Sequence, residues 1–189
     1  MCVPGLLLTG GASRRMGSPK AQLRLDGETL AERSARVLAA VCEPVVEVGP
    51  GHTDFPHVVE EPAGGGPVAA LVAGWEAVGR PDAVIVVACD LPFVNAGLLC
   101  LLATWPGAPT AVPVAGERLQ PLCARFGREA VDAARSLLIR GERSFRALLD
   151  AVPFDGVTEE EWRSVASADA LTDVDTPADA QRFGIEHPR

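Results

Sequence analysis

The sequence lacks any long hydrophobic run. Apolar residues make up 48% of its 189 residues, but no uninterrupted stretch reaches the roughly 18 residues that a membrane span needs. Residues 1–5 carry no basic side chain ahead of the short apolar segment that follows, so we expect no secretory signal, no membrane partner and a cytoplasmic location. We also find no internal repeat, linker or low-complexity segment. We therefore expect a single domain over 1–189, long enough to bury a sizeable core.

Positive charge and paired cysteines are also scarce. The formal net charge of −8 disfavours a nucleic-acid partner, because phosphate backbones attract basic surfaces. The five cysteines are odd in number and contain no C-x-x-C pair, which argues against a disulfide framework or a zinc site. Most of them are expected to be small buried hydrophobes in a reducing compartment.

The most informative stretch is the loop that follows the first apolar run. Residues 6–8 read as the end of a buried strand, which stops at Gly10-Gly11 and leads through a glycine-rich and basic segment to Lys20. Glycines let backbone N–H groups approach phosphate oxygens, and Arg14 or Arg15 together with Lys20 can neutralise a polyphosphate. The alternative is an ordinary turn with solvated basic residues.

Two well-known phosphate loops do not fit this stretch. A Walker A loop has four residues between its glycines and then Gly-Lys-Ser/Thr, whereas five residues separate Gly11 from Gly17 and Ser18 follows. The dinucleotide fingerprint G-x-G-x-x-G fails because the glycines fall at positions 10, 11 and 17. An acidic protein that holds a triphosphate also needs a divalent cation near its local basic groups.

The rest of the chain alternates between strand and helix patterns, which predicts an α/β fold with a mainly parallel sheet. A capping box at Thr29 and Glu32 predicts a helix over 29–41, and Pro121 inside the last strand predicts an edge strand or a bulge. The predicted strands are 6–8, 45–48, 57–61, 83–89, 110–114 and 119–126. The further predicted helices are 68–78, 96–104, 128–138, 144–152 and 177–183.

Asp90 ends the most strand-like run of the chain and is our candidate magnesium ligand. A carboxylate at the tip of a central parallel strand points into the crevice where open sheets bind ligands, and Mg²⁺ prefers such oxygens. The alternative is that Asp90 caps the next helix, although Asn95 is better placed for that. The glycine cluster at 62–67 either lies against a nucleotide's base or sugar or simply connects a strand to a helix.

Two further carboxylates, Asp173 and Asp175, precede a helix that begins at Pro177. On an extended segment they lie on the same side. A functional role and a helix-capping role for this segment both remain open from these residues alone.

Four blocks together resemble the nucleotidyltransferases related to molybdenum cofactor guanylyltransferase. They are Leu8-Thr9-Gly10-Gly11-x-Ser13-x-Arg15-Met16-Gly17-x-x-Lys20, Cys89-Asp90-Leu91-Pro92, Gln120-Pro121-Leu122 and Asp173-Val174-Asp175-Thr176-Pro177. Their order and spacing extend the resemblance over nearly the whole chain. The fold that this resemblance implies is a Rossmann-like three-layer sandwich of the nucleotide-diphospho-sugar transferase type.

The resemblance also implies a reaction, in which GMP moves from GTP to the terminal phosphate of molybdenum-bearing molybdopterin and pyrophosphate is released. Residues of the loop and strand ends would contact the nucleotide: Leu8, Thr9, Gly10, Gly11, Lys20, Glu61 and Asp90. Arg15, Lys20 and Asp90 would be catalytic, with Mg²⁺ on Asp90. The acceptor side would be formed by Gln120, Asp173 and Asp175, and client molybdoenzymes or cofactor-delivery proteins are possible partners.

Some residues depart from the family pattern. Thr9 stands where the family usually has alanine, and Pro19 stands where an acidic residue often precedes the lysine. Asp173 and Asp175 resemble the related cytidylyltransferases, which attach CMP. The sequence therefore leaves open GTP or CTP as donor, another phosphorylated acceptor, and a nucleotide-binding module or adaptor without turnover.

Overall fold

The short apolar stretches of the sequence form the strands of the protein. The computed structural model describes residues 2–11 and 18–188. Its strands are Gly5–Leu8 (β1), Arg24–Leu25 (β2), Glu28–Thr29 (β3), Val45–Val48 (β4), His57–Val58 (β5), Ala83–Ala88 (β6), Ala111–Ala115 (β7), Arg118–Leu119 (β8), Cys123–Gly127 (β9) and Asp155–Val157 (β10).

Helices connect most of these strands, and several begin at the caps that the sequence predicts. The capping box of Thr29 and Glu32 is present in full, and the Asn95 side chain accepts a hydrogen bond from the Leu98 amide. The helices are Leu30–Ala39 (α1), Pro67–Ala77 (α2), Ala96–Ala103 (α3), Arg128–Ile139 (α4), Phe145–Leu149 (α5), Glu159–Arg163 (α6) and Pro177–Arg182 (α7), with a 3₁₀ turn at Lys20–Gln22.

A single mainly parallel sheet lies at the centre of the described residues. Its order is β10-β7-β9-β6-β1-β4-β5, and β8 pairs with β7. Strands β6, β1, β4 and β5 run parallel, while β9 runs antiparallel to both of its neighbours. Leu8 is in register with Val48 and with Ala88, so the carboxyl ends of β1, β4 and β6 lie side by side.

Helices cover both faces of the sheet, as expected for a three-layer sandwich. On one face, apolar side chains of β1, β4 and β6 pack against α2, α4 and α5. On the other face the alternate strand residues, such as Leu7 and Ile85, pack against α1, α3 and the buried Trp162 of α6. A third, smaller core joins the β2–β3 hairpin to α7 through Leu25 of β2, Leu30 of α1 and Ala180 of α7.

The prediction of one strand over 119–126 at an edge or a bulge was wrong. The chain forms two strands there, β8 and β9, and β9 lies inside the sheet between β6 and β7. Pro121 falls between the two strands. Proline has no backbone N–H, and at this position the sheet requires no hydrogen bond from it. The predicted strand 57–61 is limited to β5, and β10 was not predicted. Across the described residues, no helix combines the length and hydrophobicity that crossing a bilayer requires.

Candidate active site

A cavity of about 490 Å³ opens at the carboxyl ends of β1, β4 and β6. Open parallel sheets bind ligands at this edge because the loops that leave neighbouring strands diverge there and form a crevice. The floor contains Leu8, Val48 and Ala88 at the strand ends, and one wall contains Gly66 and Pro67 at the start of α2. The glycine cluster at 62–67 therefore contributes to the cavity.

Six of the residues predicted from the sequence line this cavity. They are Leu8, Thr9, Gly10, Gly11, Lys20 and Asp90. Gln120, Asp173, Asp175 and Glu61 do not contribute to the lining, although Asp175 reaches Lys20 from beside the cavity. Arg15, together with the rest of residues 12–17, lies outside the described residues, so its predicted phosphate contact stays a prediction.

Lys20 is the only lysine in the sequence, and it lies between two carboxylates. Its Nζ donates to Asp90 Oδ2 over 2.9 Å and also to Asp175 Oδ1. Partial burial alone would lower the pKa of Lys20, but the carboxylates of Asp90 and Asp175 outweigh that effect and raise it above its usual value. The ammonium is therefore fully charged at neutral pH, at the mouth of the cavity.

Asp90 has one oxygen that remains available. Its Oδ2 accepts from Lys20, while its Oδ1 is buried and has no hydrogen-bond partner among the described residues. A buried carboxylate oxygen without a donor is costly unless something binds it. The alternative role for Asp90, capping of the next helix, is filled by Asn95 at the start of α3.

A cation at Asp90 would take few ligands from the protein. Within residues 2–11 and 18–188, no three His, Cys, Asp or Glu side chains converge as a site that could hold a metal ion. Such a cation would complete its shell with water and phosphate oxygens, which is how Mg²⁺ is commonly bound at phosphoryl-transfer sites. The free oxygen of Asp90 thus fits Mg²⁺ better than a metal that needs an all-protein cage.

The segment before α7 brings a second carboxylate to Lys20. The Val174 amide donates to the carbonyl of Asp90 over 3.0 Å, which ties this segment to the end of β6. Helix capping is done by Thr176 and Asp179, which form a capping box, and Asp175 is directed to Lys20 instead. The pKa of Asp173 is raised, because surrounding atoms partly desolvate its carboxyl group and the carboxylates of Asp175 and Asp90 repel its charge.

Glu60 lies in the cavity where the sequence indicated Glu61. Glu60 is 8% exposed and its Oε1 accepts from the Gly64 amide over 3.0 Å. Glu61 is exposed and faces a separate surface pocket beside Leu138 and Ile139. The two adjacent side chains therefore face different spaces, Glu60 the cavity at the strand ends and Glu61 the separate surface pocket. The sequence showed two adjacent glutamates after the third predicted strand, but it did not show which of them faces the cavity.

The arrangement can bind a polyphosphate and stabilise charge that builds up on it. Backbone amides of Gly10 and Gly11, the Lys20 ammonium and a cation held by Asp90 would all face the same space. No histidine is among the described residues that line it, and the cysteine that does, Cys89, is buried, which raises the pKa of its thiol and disfavours the nucleophilic thiolate. Transfer to a nucleophilic acceptor needs neither residue type.

The family model for the MobA-like NTP transferase domain matches residues 5–156. The chain belongs to this family. It is therefore a nucleotidyltransferase, and the sequence-based prediction of the family and of the enzyme class is confirmed.

Relatives of this MobA-like NTP transferase span almost its full length. It is 33% identical to a "Probable molybdenum cofactor guanylyltransferase" of Chloroflexus aggregans, over 95% of this chain and 92% of that protein. It is 36% identical to a protein of the same name from Opitutus terrae, over 86% and 83% of the two chains.

Solved structures confirm the predicted fold class. The molybdopterin-guanine dinucleotide biosynthesis protein A of Archaeoglobus fulgidus superposes with a TM-score of 0.83 at 22% identity, over 96% of both chains. The 2-C-methyl-D-erythritol 4-phosphate cytidylyltransferase of Thermus thermophilus gives 0.70 at 19% identity, over 97% of both. At these identities the likeness shows the shared nucleotidyltransferase fold.

Proposed function

We propose that this MobA-like NTP transferase moves GMP from GTP to the terminal phosphate of molybdenum-bearing molybdopterin and releases pyrophosphate. The single observation that carries the proposal is Lys20 held between Asp90 and Asp175 beside the cavity of Leu8, Thr9, Gly10 and Gly11. The names of the Chloroflexus and Opitutus relatives support the same reaction within molybdenum cofactor biosynthesis.

The chemistry requires no protein nucleophile. An oxygen of the acceptor's terminal phosphate attacks the α-phosphorus of GTP in line, a new phosphorus–oxygen bond forms, and the bond to the β-phosphate bridging oxygen breaks. Pyrophosphate leaves with that bonding pair. The protein holds the two reactants in line, and Lys20 and the amides of residues 10 and 11 offset the negative charge on the phosphates.

Asp90 would hold Mg²⁺ through its free Oδ1, with Asp175 close by. When bound, the ion would supply further neutralisation of the α-phosphate and the departing pyrophosphate. Lys20 already neutralises Oδ2 of the same carboxylate, so both oxygens of Asp90 would face positive charge. Gln120, Asp173 and Asp175 stay candidates for the acceptor side.

Glu60 supports guanine as the base. Guanine presents two adjacent donors, N1–H and the N2 amino group, to which a carboxylate can accept side by side, whereas the pairing edge of cytosine presents one donor. The buried Glu60 carboxylate lies opposite Gly10: a Cβ built on Gly10 would lie 3.9 Å from Glu60 Oε1. One hydrogen bond from Gly64 leaves this carboxylate with acceptor capacity.

A pyrophosphate-release assay with molybdopterin, run with each of the four ribonucleotides, tests the proposal. We expect turnover with GTP, and we expect Lys20→Ala and Asp90→Ala to fold normally but lose roughly 10² to 10³ in rate, by analogy with the loss of one transition-state donor. Arg36→Ala is the control, since Arg36 pairs with Glu28 on the surface. Wild-type rates in both site variants would refute the proposed roles, and turnover with CTP alone would replace GTP.

A further inference from the structure

Glu47 is a fully buried carboxylate to which the proposed reaction assigns no role. It lies in β4 among three valines and is 0% exposed. Burial of a charged carboxylate is costly unless hydrogen bonds or charges compensate for it. A glutamate in the interior of this strand therefore calls for a physical explanation.

Neutral donors surround both oxygens of this carboxylate. Oε1 accepts from the Thr9 hydroxyl at 2.5 Å and from the amides of Gly51 and His52 at 3.1 and 2.8 Å. Oε2 accepts from the His52 amide and from both the amide and the hydroxyl of Thr53, each at 2.9 Å. Burial alone would raise the pKa of Glu47, but the hydrogen bonds of Thr9, His52 and Thr53 outweigh it and lower the pKa. Glu47 is thus ionised at neutral pH.

The contact between Thr9 and Glu47 depends on close packing at the ends of β1 and β4. The Thr9 amide donates to the Val48 carbonyl over 3.1 Å, so Thr9 is held through its backbone as well as its hydroxyl. Gly49 leaves the space that the hydroxyl occupies, because a Cβ there would lie 2.1 Å from Thr9 Oγ1. The three residues therefore depend on one another: the Thr9 hydroxyl binds the Glu47 carboxylate, and the absence of a side chain at Gly49 leaves room for that contact.

Thr9 is at once the partner of Glu47 and part of the cavity wall. Its hydroxyl is committed to Glu47, while Thr9 and the next residue, Gly10, line the cavity. Any shift at Thr9 therefore moves the first amides that would face a bound nucleotide.

We propose that Glu47 is a positioning residue that acts through Thr9 to hold the turn at residues 9–11 in its nucleotide-binding geometry. The proposal rests on the proposed function only in taking the nucleotide to be GTP. Its rival is a purely structural role, in which Glu47 only anchors the loop at 51–53. The two roles can be tested separately, because the Thr9 hydroxyl donates to Oε1 of Glu47 and the Thr53 hydroxyl donates to Oε2.

Paired threonine variants test the proposal. Thr9→Val and Thr53→Val each remove one hydroxyl from the same carboxylate at nearly constant volume, and Thr9→Ser keeps the hydroxyl at position 9. The measurements are the Kd for GTP by calorimetry, the KM and kcat for GTP, and the thermal midpoint. Calorimetry reports on this proposal even if the wild type were to release no pyrophosphate, an outcome that would count only against the proposed function.

We expect Thr9→Val to raise Kd and KM for GTP about tenfold with little change in kcat, which is within the range for a hydrogen bond to a charged group. Thr9→Ser should restore both constants to within about twofold of the wild type. Thr53→Val should lower the thermal midpoint as Thr9→Val does but leave Kd and KM unchanged. The positioning role would be overturned if Thr9→Val bound GTP as tightly as the wild type. It would also be overturned if Thr53→Val weakened GTP binding as much as Thr9→Val does.

Discussion

Glu60 and Glu61 carry the same side chain at adjacent positions, yet their surroundings differ. Glu60 is buried in the cavity wall and bound by the Gly64 amide, while Glu61 is exposed on the outer side of the same loop. A carboxylate that is shielded from water makes stronger and more selective hydrogen bonds than an exposed one. Any effect on base choice should therefore come from Glu60 alone.

Replacement of Glu60 by glutamine tests this at the level of one residue. The new amide group presents a donor toward the two guanine donors, so we expect Glu60→Gln to reduce kcat/KM for GTP by about tenfold to a hundredfold, in line with an unpaired buried polar group. Glu61→Gln has the same chemistry at a position outside the cavity and should retain wild-type kcat/KM. Steady-state kinetics with GTP would show the difference, and equal behaviour of the two variants would exclude Glu60 from base recognition.

The positions of Lys20 and Asp90 at the cavity could be predicted from local sequence, because Lys20 ends the long loop motif after β1 and Asp90 follows the most strand-like run of the chain. The pairing of Lys20 with Asp175 could not, since 155 positions separate the two residues and only the folded chain brings them together. Glu47 stands in the sequence as a charge among valines, but its donors come from Thr9, which follows β1, and from residues 51–53 in the loop after β4. Such contacts depend on strand register, which no local pattern specifies.

At the scale of elements, α6 and α7 begin with the same device. Thr158 with Glu161, and Thr176 with Asp179, each form a capping box in which hydroxyl and carboxylate exchange hydrogen bonds with backbone amides. The difference is position, because the α7 box fixes the segment that carries Asp175 to Lys20, while α6 packs on β7 through Trp162. The two caps thus form a natural pair of test and control.

Removal of each cap should separate stability from activity. We expect Thr176→Ala and Thr158→Ala each to cost about 1 kcal/mol of folding free energy, as loss of an N-cap usually does, which is roughly 2–4 °C in thermal midpoint for a chain of this size. Only Thr176→Ala should also reduce kcat, because it loosens the segment that holds Asp175. Calorimetric midpoints and pyrophosphate release measure both effects, and unchanged kcat in Thr176→Ala would contradict this role for α7.

The elements themselves were predictable to different degrees. Helix starts at Thr29 and Asn95 follow from cap chemistry within a few residues, and the prediction was confirmed at both. The interior position of β9 follows instead from pairing with β6 and β7, which are distant in sequence. Pro121, two residues before β9, suggested an edge strand. The apolar pattern did not show that residues 120–122 form a turn that separates β8 from β9.

At the scale of the whole molecule, the central sheet connects the two large apolar cores. Both cores use alternate residues of β1, β4 and β6, so loss of the packing on one face would expose the strands that support the other. The cavity lies at the carboxyl ends of these same three strands. A ligand bound there should therefore stabilise the entire fold as one cooperative unit, which is also what the predicted single domain over 1–189 requires.

Thermal unfolding with nucleotides tests this coupling and the choice of donor together. A ligand at about 100 times its Kd adds roughly 2.7 kcal/mol to the native state, which corresponds to about 5–10 °C for a chain of this length. We expect one transition that shifts upward by this amount with GTP and Mg²⁺, and by less with CTP at equal concentration.

Asp90→Asn serves as the matched variant for this measurement. It keeps the size of the side chain but removes the charge that faces both Lys20 and the proposed cation, so the part of the GTP shift that depends on Mg²⁺ should be lost. Magnesium chelation of the wild type should reproduce that loss. Two separate unfolding transitions would contradict the single cooperative unit. A larger shift of the thermal midpoint with CTP than with GTP would reverse the assignment of the base, because a ligand stabilises only the state that binds it.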